Sequence, residues 1–198
     1  MIKIIKISDS APYKIFLEHF NQANKANQNP INAISISSFD RDNDEVVSRF
    51  VNLKYIEEEK WIFFSNYNSP KAMQFDEHNQ ISALIYWESI NVQIRIKAKI
   101  EKSSSQLSDQ HFEKRLPEKN ALAISSDQSK KIQSYEMILN KYHKTLEESE
   151  LLQRPEYWGG FTFTPYYFEF WEGQKYRLNK RSAYTKKGND WEHFLLEP

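Results

Sequence analysis

The sequence predicts a mainly β fold with flanking helices, arranged as an antiparallel barrel with its helices packed outside. Short β-favouring runs occur at close spacing on both sides of a helical middle section. One of them, Asn91 to Glu101, alternates apolar and polar residues almost without fault. Turn signals at Gly159-Gly160, Gly173 and Lys187-Gly188-Asn189 then divide the last part of the chain into further strands. The 198 residues carry no marked linker, so a single domain spanning 1–198 is expected, with residues 1–30 as an N-terminal helical segment.

In the first ten residues, MIKIIKISDS, lysines interrupt an apolar run too brief for a signal-peptide core or a membrane span. A cytoplasmic location is the expectation. Tyr13 to Gln22 places Ile15 or Phe16, Leu17 and Phe20 at helical spacing, and the polar run Asn21 to Asn29 ends that helix. Ala33 to Ser38 alternates as a strand, and Asp40 to Asp44 forms an acidic turn. A hairpin follows, with one strand through Phe50, Val51, Leu53, Tyr55 and Ile56, a turn at Glu57 to Lys60, and a second strand at Trp61 to Phe64. Ser65, Asn66, Asn68, Ser69 and Pro70 are turn formers, and Lys71 opens a short helix. Hydroxyls, amides and an ammonium thus gather at one strand end, a corner suited to a phosphate or carboxylate.

Ile81 to Trp87 is nearly all apolar, as in a strand covered on both faces. In Asn91 to Glu101 the apolar face is Val92, Ile94, Ile96, Ala98 and Ile100; Gln93, Arg95, Lys97, Lys99 and Glu101 face solvent, a partner subunit or a ligand. Leu107 to Leu116 reads as a short helix with His111 and Arg115 on one face. A longer helix carries the stripe Ile132, Tyr135, Leu139, Tyr142 and Leu146, with Lys130 and Lys131 in its first turn. The helix dipole disfavours cations there by about 0.3–1 kcal/mol each. An anion docked beside Gln128 and Ser129 would remove that cost; two solvated lysines tolerating it is the alternative. The remaining strands are expected at Phe161 to Thr164, Tyr167 to Trp171, Lys175 to Leu178, Ser182 to Lys186 and Trp191 to Leu196.

Composition narrows the chemistry. The net charge is zero, which gives no general attraction to nucleic acid or to an anionic membrane, so any anion site is local. Cysteine is absent, which removes disulfides, thiolate zinc sites and cysteine nucleophiles. The 4 glycines all fall from Gly159 onward, so neither a Walker A loop nor a Rossmann fingerprint is present, and a bound nucleotide would be gripped by side chains. The histidines show no metal-ligand spacing, so no metal is expected, and no GxSxG elbow marks a serine nucleophile. What remains is a basic set, Arg49, Lys54, Lys71, Arg115, Lys119, Arg177 and Arg181, which spacing alone does not gather. Arg49 and Lys54, five apart, would lie on opposite faces of a regular strand unless a bulge or bend intervenes.

Arg49 to Lys54 (RFVNLK), Phe64-Ser65 and Ser69-Pro70-Lys71-Ala72 resemble the flavin-mononucleotide signature of the pyridoxine (pyridoxamine) 5′-phosphate oxidase family, and the likeness runs from about Ala33 to the C-terminus. The resemblance implies an antiparallel split β-barrel of the FMN-binding type and a homodimer with flavin at the subunit interface. It assigns cofactor contacts to Arg49, Phe50, Val51, Asn52, Leu53, Lys54, Phe64, Ser65, Lys71, Gln93, Gln128, Ser129, Trp171 and Arg181. It assigns binding of a small phosphorylated or anionic planar substrate to Lys54, His111, Arg115 and Lys119, with His111 where the family usually has Tyr and Lys119 where it usually has Ser. Pro70 stands where the family usually has Arg. Arg177-Leu178-Asn179-Lys180-Arg181 resembles the family's Arg-Leu-His-Asp-Arg segment, which gives Arg177 and Asn179 the substrate-orienting, catalytic positions.

The reaction so implied is hydride transfer from substrate to flavin N5 with oxygen as acceptor, forming pyridoxal 5′-phosphate. The alternatives are a split-barrel oxidoreductase of the phenazine-biosynthesis type on another planar anion, a non-enzymatic FMN- or pyridoxal-phosphate-binding protein, and a β-barrel that binds no flavin.

Overall fold

A computed structural model describes residues 2–198. The elements in chain order are β1 (Lys3–Ile7), α1 (Ala11–Lys25), β2 (Ala33–Asp40), β3 (Glu45–Asn52), β4 (Tyr55–Glu58), β5 (Lys60–Asn66), α2 (Pro70–Glu77), β6 (Gln80–Trp87) and β7 (Val92–Lys102). They continue with α3 (Ser105–Glu113), α4 (Pro117–Ser125), α5 (Tyr135–Glu148), β8 (Trp158–Glu172), β9 (Lys180–Lys187) and β10 (Asp190–Leu196). The strands form one open sheet in the order β1-β4-β5-β8-β7-β6-β2-β3, with β9 on β8 and β10 on β9. All neighbours are antiparallel except β1 and β4. The expected mainly β architecture with helices on its flanks is therefore present.

β8 organises the sheet. Its first half pairs with β5, from Trp61 opposite Phe163 to Asn66 opposite Trp158, and its second half pairs with β9. The sequence reading divides this strand at Thr164 to Tyr166. It runs through because Pro165, which has no N–H to give, sits where the β7 register shifts between Lys97 and Ala98. The alternating residues of β7 bury Ile94, Ile96 and Ala98 completely, as the pattern requires. Aromatic rings fill the space between sheet and α1: Phe16 lies 4.5 Å from Trp61 and 5.7 Å from Trp87, and Tyr13 meets Phe168 edge-on at 5.1 Å. Each fully buried apolar side chain of this size contributes roughly 1.5–3 kcal/mol by leaving water.

Several local expectations give way to tertiary causes. The first thirty residues contain a strand, β1, ahead of the helix, because Lys3 to Ile7 finds β4 as a parallel partner. The hairpin strand expected from Phe50 to Ile56 is broken. Leu53 N–H donates to Asn32 O, whereas the next residue, Lys54, donates to Ile62 O, so the chain passes from the β2 ladder to the β5 ladder within one step. β6 is covered on one face only within the chain: Ile81, Ala83, Ile85 and Trp87 are buried, but Leu84 is 38% and Tyr86 52% exposed.

Leu107 to Leu116 is not one helix. α3 ends at Glu113, and a further helix, α4, starts at Pro117 with the proline at the tolerated N-terminal position. The long helix begins later than the two lysines suggest. Ser134 is its cap, accepting from Met137 N–H, and Ser129 has a left-handed φ of 71° that no helix accommodates. Its stripe is not buried within the chain. Lys175 to Leu178 is a 3-10 turn instead of a strand, with Tyr176 (φ 57°) and Arg177 (φ 63°) both left-handed. Such conformations cost about 1–3 kcal/mol in residues other than glycine and cluster at functional loops.

Candidate active site

An open cleft of about 980 Å³ lies between β3, β5, α2 and the α3–α4 corner. The break after β3 places Arg49 and Lys54 on the same cleft in spite of their strand-opposed spacing. Also on its lining are Phe50, Val51, Asn52, Phe64, Ser65, Lys71, His111, Arg115, Lys119, Gln128 and Ser129. Leu53 is 1% exposed, belongs to the core and is not on the lining, and its N–H is taken by Asn32 O.

Two cationic seats occupy this cleft. In the first, Gln128 Oε1 accepts from Ser65 Oγ (2.9 Å), Lys71 Nζ (3.0 Å) and Asn66 N–H (3.4 Å). Three donors converging on one amide oxygen form the arrangement that a phosphate oxygen needs. Lys71 is buried and also donates to Ser69 Oγ at 3.0 Å. Burial, with Arg49 nearby, lowers its pKa to about 8. Arg49 is held by Ser38 Oγ (2.6 Å) and Gln74 Oε1 (2.9 Å), while Gln74 Nε2 donates to Asp40. Pro70 is on the lining and offers no donor. Gln128 and Ser129 reach this seat from a loop, so the helix N-terminus anticipated there plays no part.

The second seat is more concentrated. Burial and the neighbouring Lys119 and Arg115 lower the pKa of Lys54. Arg115 lies 4.3 Å above the Trp158 ring and donates to Lys119 O at 2.8 Å, yet its Nη1 is buried without a protein partner. His111 stacks on Phe64 at 3.7 Å and shares a 2.7 Å hydrogen bond through Nδ1 with the Tyr55 hydroxyl. Burial, followed by Arg115, Lys54 and Lys114, pushes its pKa down to about 4. Asp40, already bonded to Asn43 and Gln74, is the one carboxylate on the lining among the described residues. Like charges gathered without a counter-charge, beside an unfilled guanidinium donor, fit an anionic ligand.

The remaining predicted residues lie elsewhere. Gln93, Trp171 and Arg181 are in cross-strand register on β7, β8 and β9, away from the cleft lining. Arg181 Nε and Nη2 both donate to Glu169 Oε1, at 3.0 and 2.8 Å, and Nη1 donates to Glu197 O. Burial opposes the charge on Glu169, but the bonds from Arg181 and Tyr167 and the nearby Arg95 outweigh it, so its pKa is lowered. Arg177 lies in the left-handed turn, and Asn179 Oδ1 accepts from Gln174 N–H at 3.0 Å, which commits the acceptor end of that amide to the turn.

Ser38, Gln74, Tyr55 and Trp158 escape the sequence reading. Only Gln74 had a usable signal, three residues beyond Lys71 and so on the same helical face.

An open antiparallel sheet with flanking helices and a cleft of this kind defines the FMN-binding split-barrel class of proteins. The chain superimposes on PhzG from Burkholderia lata 383, solved in complex with tetrahydrophenazine-1-carboxylic acid, with a TM-score of 0.89 and 25% identity, covering 96% of this chain and 93% of that one. A pyridoxamine 5′-phosphate oxidase-related, FMN-binding protein from Nostoc punctiforme shares the fold at a TM-score of 0.79 and 12% identity, over 96% and 99% of the two chains. Residues 158–198 match the pyridoxine 5′-phosphate oxidase C-terminal dimerisation region. The chain is 34% identical to a pyridoxine/pyridoxamine 5′-phosphate oxidase of Colwellia psychrerythraea over 96% of its own length and 88% of the relative's. It is 36% identical to one of Christiangramia forsetii over 94% and 88%. It belongs to the pyridoxine/pyridoxamine 5′-phosphate oxidase family.

Proposed function

We propose that this chain is an FMN-dependent oxidase that forms pyridoxal 5′-phosphate from pyridoxine or pyridoxamine 5′-phosphate, at sites shared between the two subunits of a homodimer. The observation that carries the reading is the pair of cationic seats in one cleft; one would take the phosphate of the cofactor and the other that of the substrate. Lys71, Ser65 and the Asn66 N–H would hold the FMN phosphate, a fit supported by their convergence around the Gln128 oxygen, with Arg49 beside them on the same cleft. Lys54, Arg115 and Lys119 would anchor the substrate phosphate.

Gln93, Trp171, Arg181 and Arg177 would come to the cleft from the second copy. The exposed apolar side chains Phe50 (75%), Leu84 and Tyr86, together with the match to a dimerisation region, support that copy. FMN held there would supply two-electron oxidation of the substrate carbon that bears the hydroxyl or amine, with oxygen as the final acceptor. The residues of this chain contribute position and charge: Arg177 orients the substrate ring, and Asn179, which carries no titratable proton, fixes the turn that presents Arg177.

A second reading, oxidation of a planar carboxylate, is favoured by the 0.89 superposition on the phenazine-carboxylate complex. The test is the visible spectrum of the FMN-loaded protein as pyridoxine 5′-phosphate is added without oxygen. Bleaching that air reverses is the expected result. Bleaching only by a planar carboxylate supports the second reading, and a flavin that neither compound bleaches contradicts an oxidase and leaves a binding protein.

A further inference from the structure

We propose that His111 is a proton-linked ligand of the second seat: it takes up a proton as a doubly charged anion settles among Lys54, Arg115 and Lys119. The proposal rests on the reading of that seat as the one for the substrate's phosphate, and adds a coupling between anion binding and protonation.

The geometry is specific to this ring. Tyr55 from β4 meets Nδ1 at 2.7 Å, Phe64 from β5 covers one face at 3.7 Å, and the Trp158 ring of β8 lies nearly parallel to it. The charged groups around it are Lys54, Lys114, Arg115 and Lys119, all cationic, with no carboxylate among them. Nε2 makes no hydrogen bond among the described residues and is not sealed from the cleft. An imidazolium here has nothing to balance it, so the ring is neutral at pH 7, with a pKa pushed down to about 4 by burial and then by these cations.

A dianion among the three cations reverses the balance. It supplies the missing counter-charge and accepts from Nε2–H, while the proton taken up makes Nδ1 a donor to the Tyr55 oxygen; opposite charge within hydrogen-bonding reach raises a pKa by roughly 1–3 pH units. Since the bound form then holds a proton that the free form lacks, affinity rises by about tenfold for each unit the pH falls between the two midpoints, and is flat outside that window. A tyrosine at this position would hydrogen-bond the same anion with no such dependence, because its hydroxyl keeps its proton across this range.

The experiment is a pH titration of the histidine ring signals of the full-length protein by NMR, with and without saturating sulfate, which stays doubly charged across the range. The His111 signal is assigned by its loss in His111→Tyr. The expected result is an upward move of its midpoint by roughly 1–3 pH units with sulfate, absent in Lys54→Ala, together with a sulfate affinity that depends on pH in the wild type. His111→Tyr is expected to bind sulfate without that slope, and His111→Gln gives the same comparison should the larger ring disturb the stack. A midpoint that sulfate does not move, a slope in the variants equal to that of the wild type, or no sulfate binding overturns the proposal. The readout needs neither flavin nor turnover. An inactive protein whose midpoint still moves therefore refutes the oxidase and leaves the coupling in place.

Discussion

Lys71→Ala is expected to weaken FMN binding by roughly 10–150-fold, the equivalent of one charge-assisted hydrogen bond to a phosphate. Lys71 is 8% exposed, and its ammonium is held by Ser69 and Gln128, so its position is set before any ligand arrives. That preorganisation distinguishes it from a surface lysine of small value. Pro70 beside it lines the cleft without offering a donor, which makes the dependence on Lys71 heavier. A pH dependence follows from the same burial. In the free protein the pKa of Lys71 is lowered to about 8, whereas a bound phosphate favours the charged form and raises it again. From about pH 7, where the phosphate is a dianion, to about pH 8 FMN affinity is therefore constant, and it falls by about tenfold per unit above that, as binding comes to require proton uptake. Quenching of FMN fluorescence between pH 7 and 9.5 measures both effects, and Lys71→Ala should remove this fall.

Arg177→Ala is expected to lower kcat/KM by roughly 10²–10³-fold while leaving FMN affinity unchanged, because positioning a substrate over the reacting ring is worth several kcal/mol. The residue stands outside the cleft of its own chain and outside both seats. Its left-handed backbone, φ 63°, offers a control. Arg177→Gly removes the side chain while suiting that conformation, so it should lose as much activity as Arg177→Ala without destabilising the turn. If the glycine variant were active and the alanine variant not, the loss would belong to the backbone and Arg177 would have no orienting role. Steady-state kinetics with FMN content measured in parallel separates the two.

The sequence carries what is local in this molecule and little of what is assembled. The alternation of β7 and the apolar spacing of α1 were readable because each depends on one face of one element meeting the core. The polar corner at Ser65 to Lys71 was readable for the same reason: turn formers and a helix start lie within a few residues. Leu53 and Lys54 were not, since their strand breaks where two ladders compete for consecutive N–H groups, which no neighbouring residue records.

Ser129 and Ser134 both suit a helix cap by residue type; a left-handed φ at one and a capping bond at the other decide between them. Leu84 and Tyr86 gave β6 the composition of a doubly covered strand, but within one chain that second face has no cover. Gln93, Trp171 and Arg181 are far apart in sequence and become a row only through strand register. Their proposed use beside the cleft depends on a second copy, a relation that a single chain does not contain.

That dependence is the centre of the account, and mixed dimers test it most directly. Lys54→Ala and Arg177→Ala subunits, each inactive as a homodimer, are mixed under conditions that allow exchange. With sites shared across a two-fold interface, half of the dimers are mixed and each has one intact site, so activity should return to about a quarter of the wild-type level. Activity that stays at the level of the parent variants after proven exchange would place Lys54 and Arg177 in the same subunit's site and contradict the account.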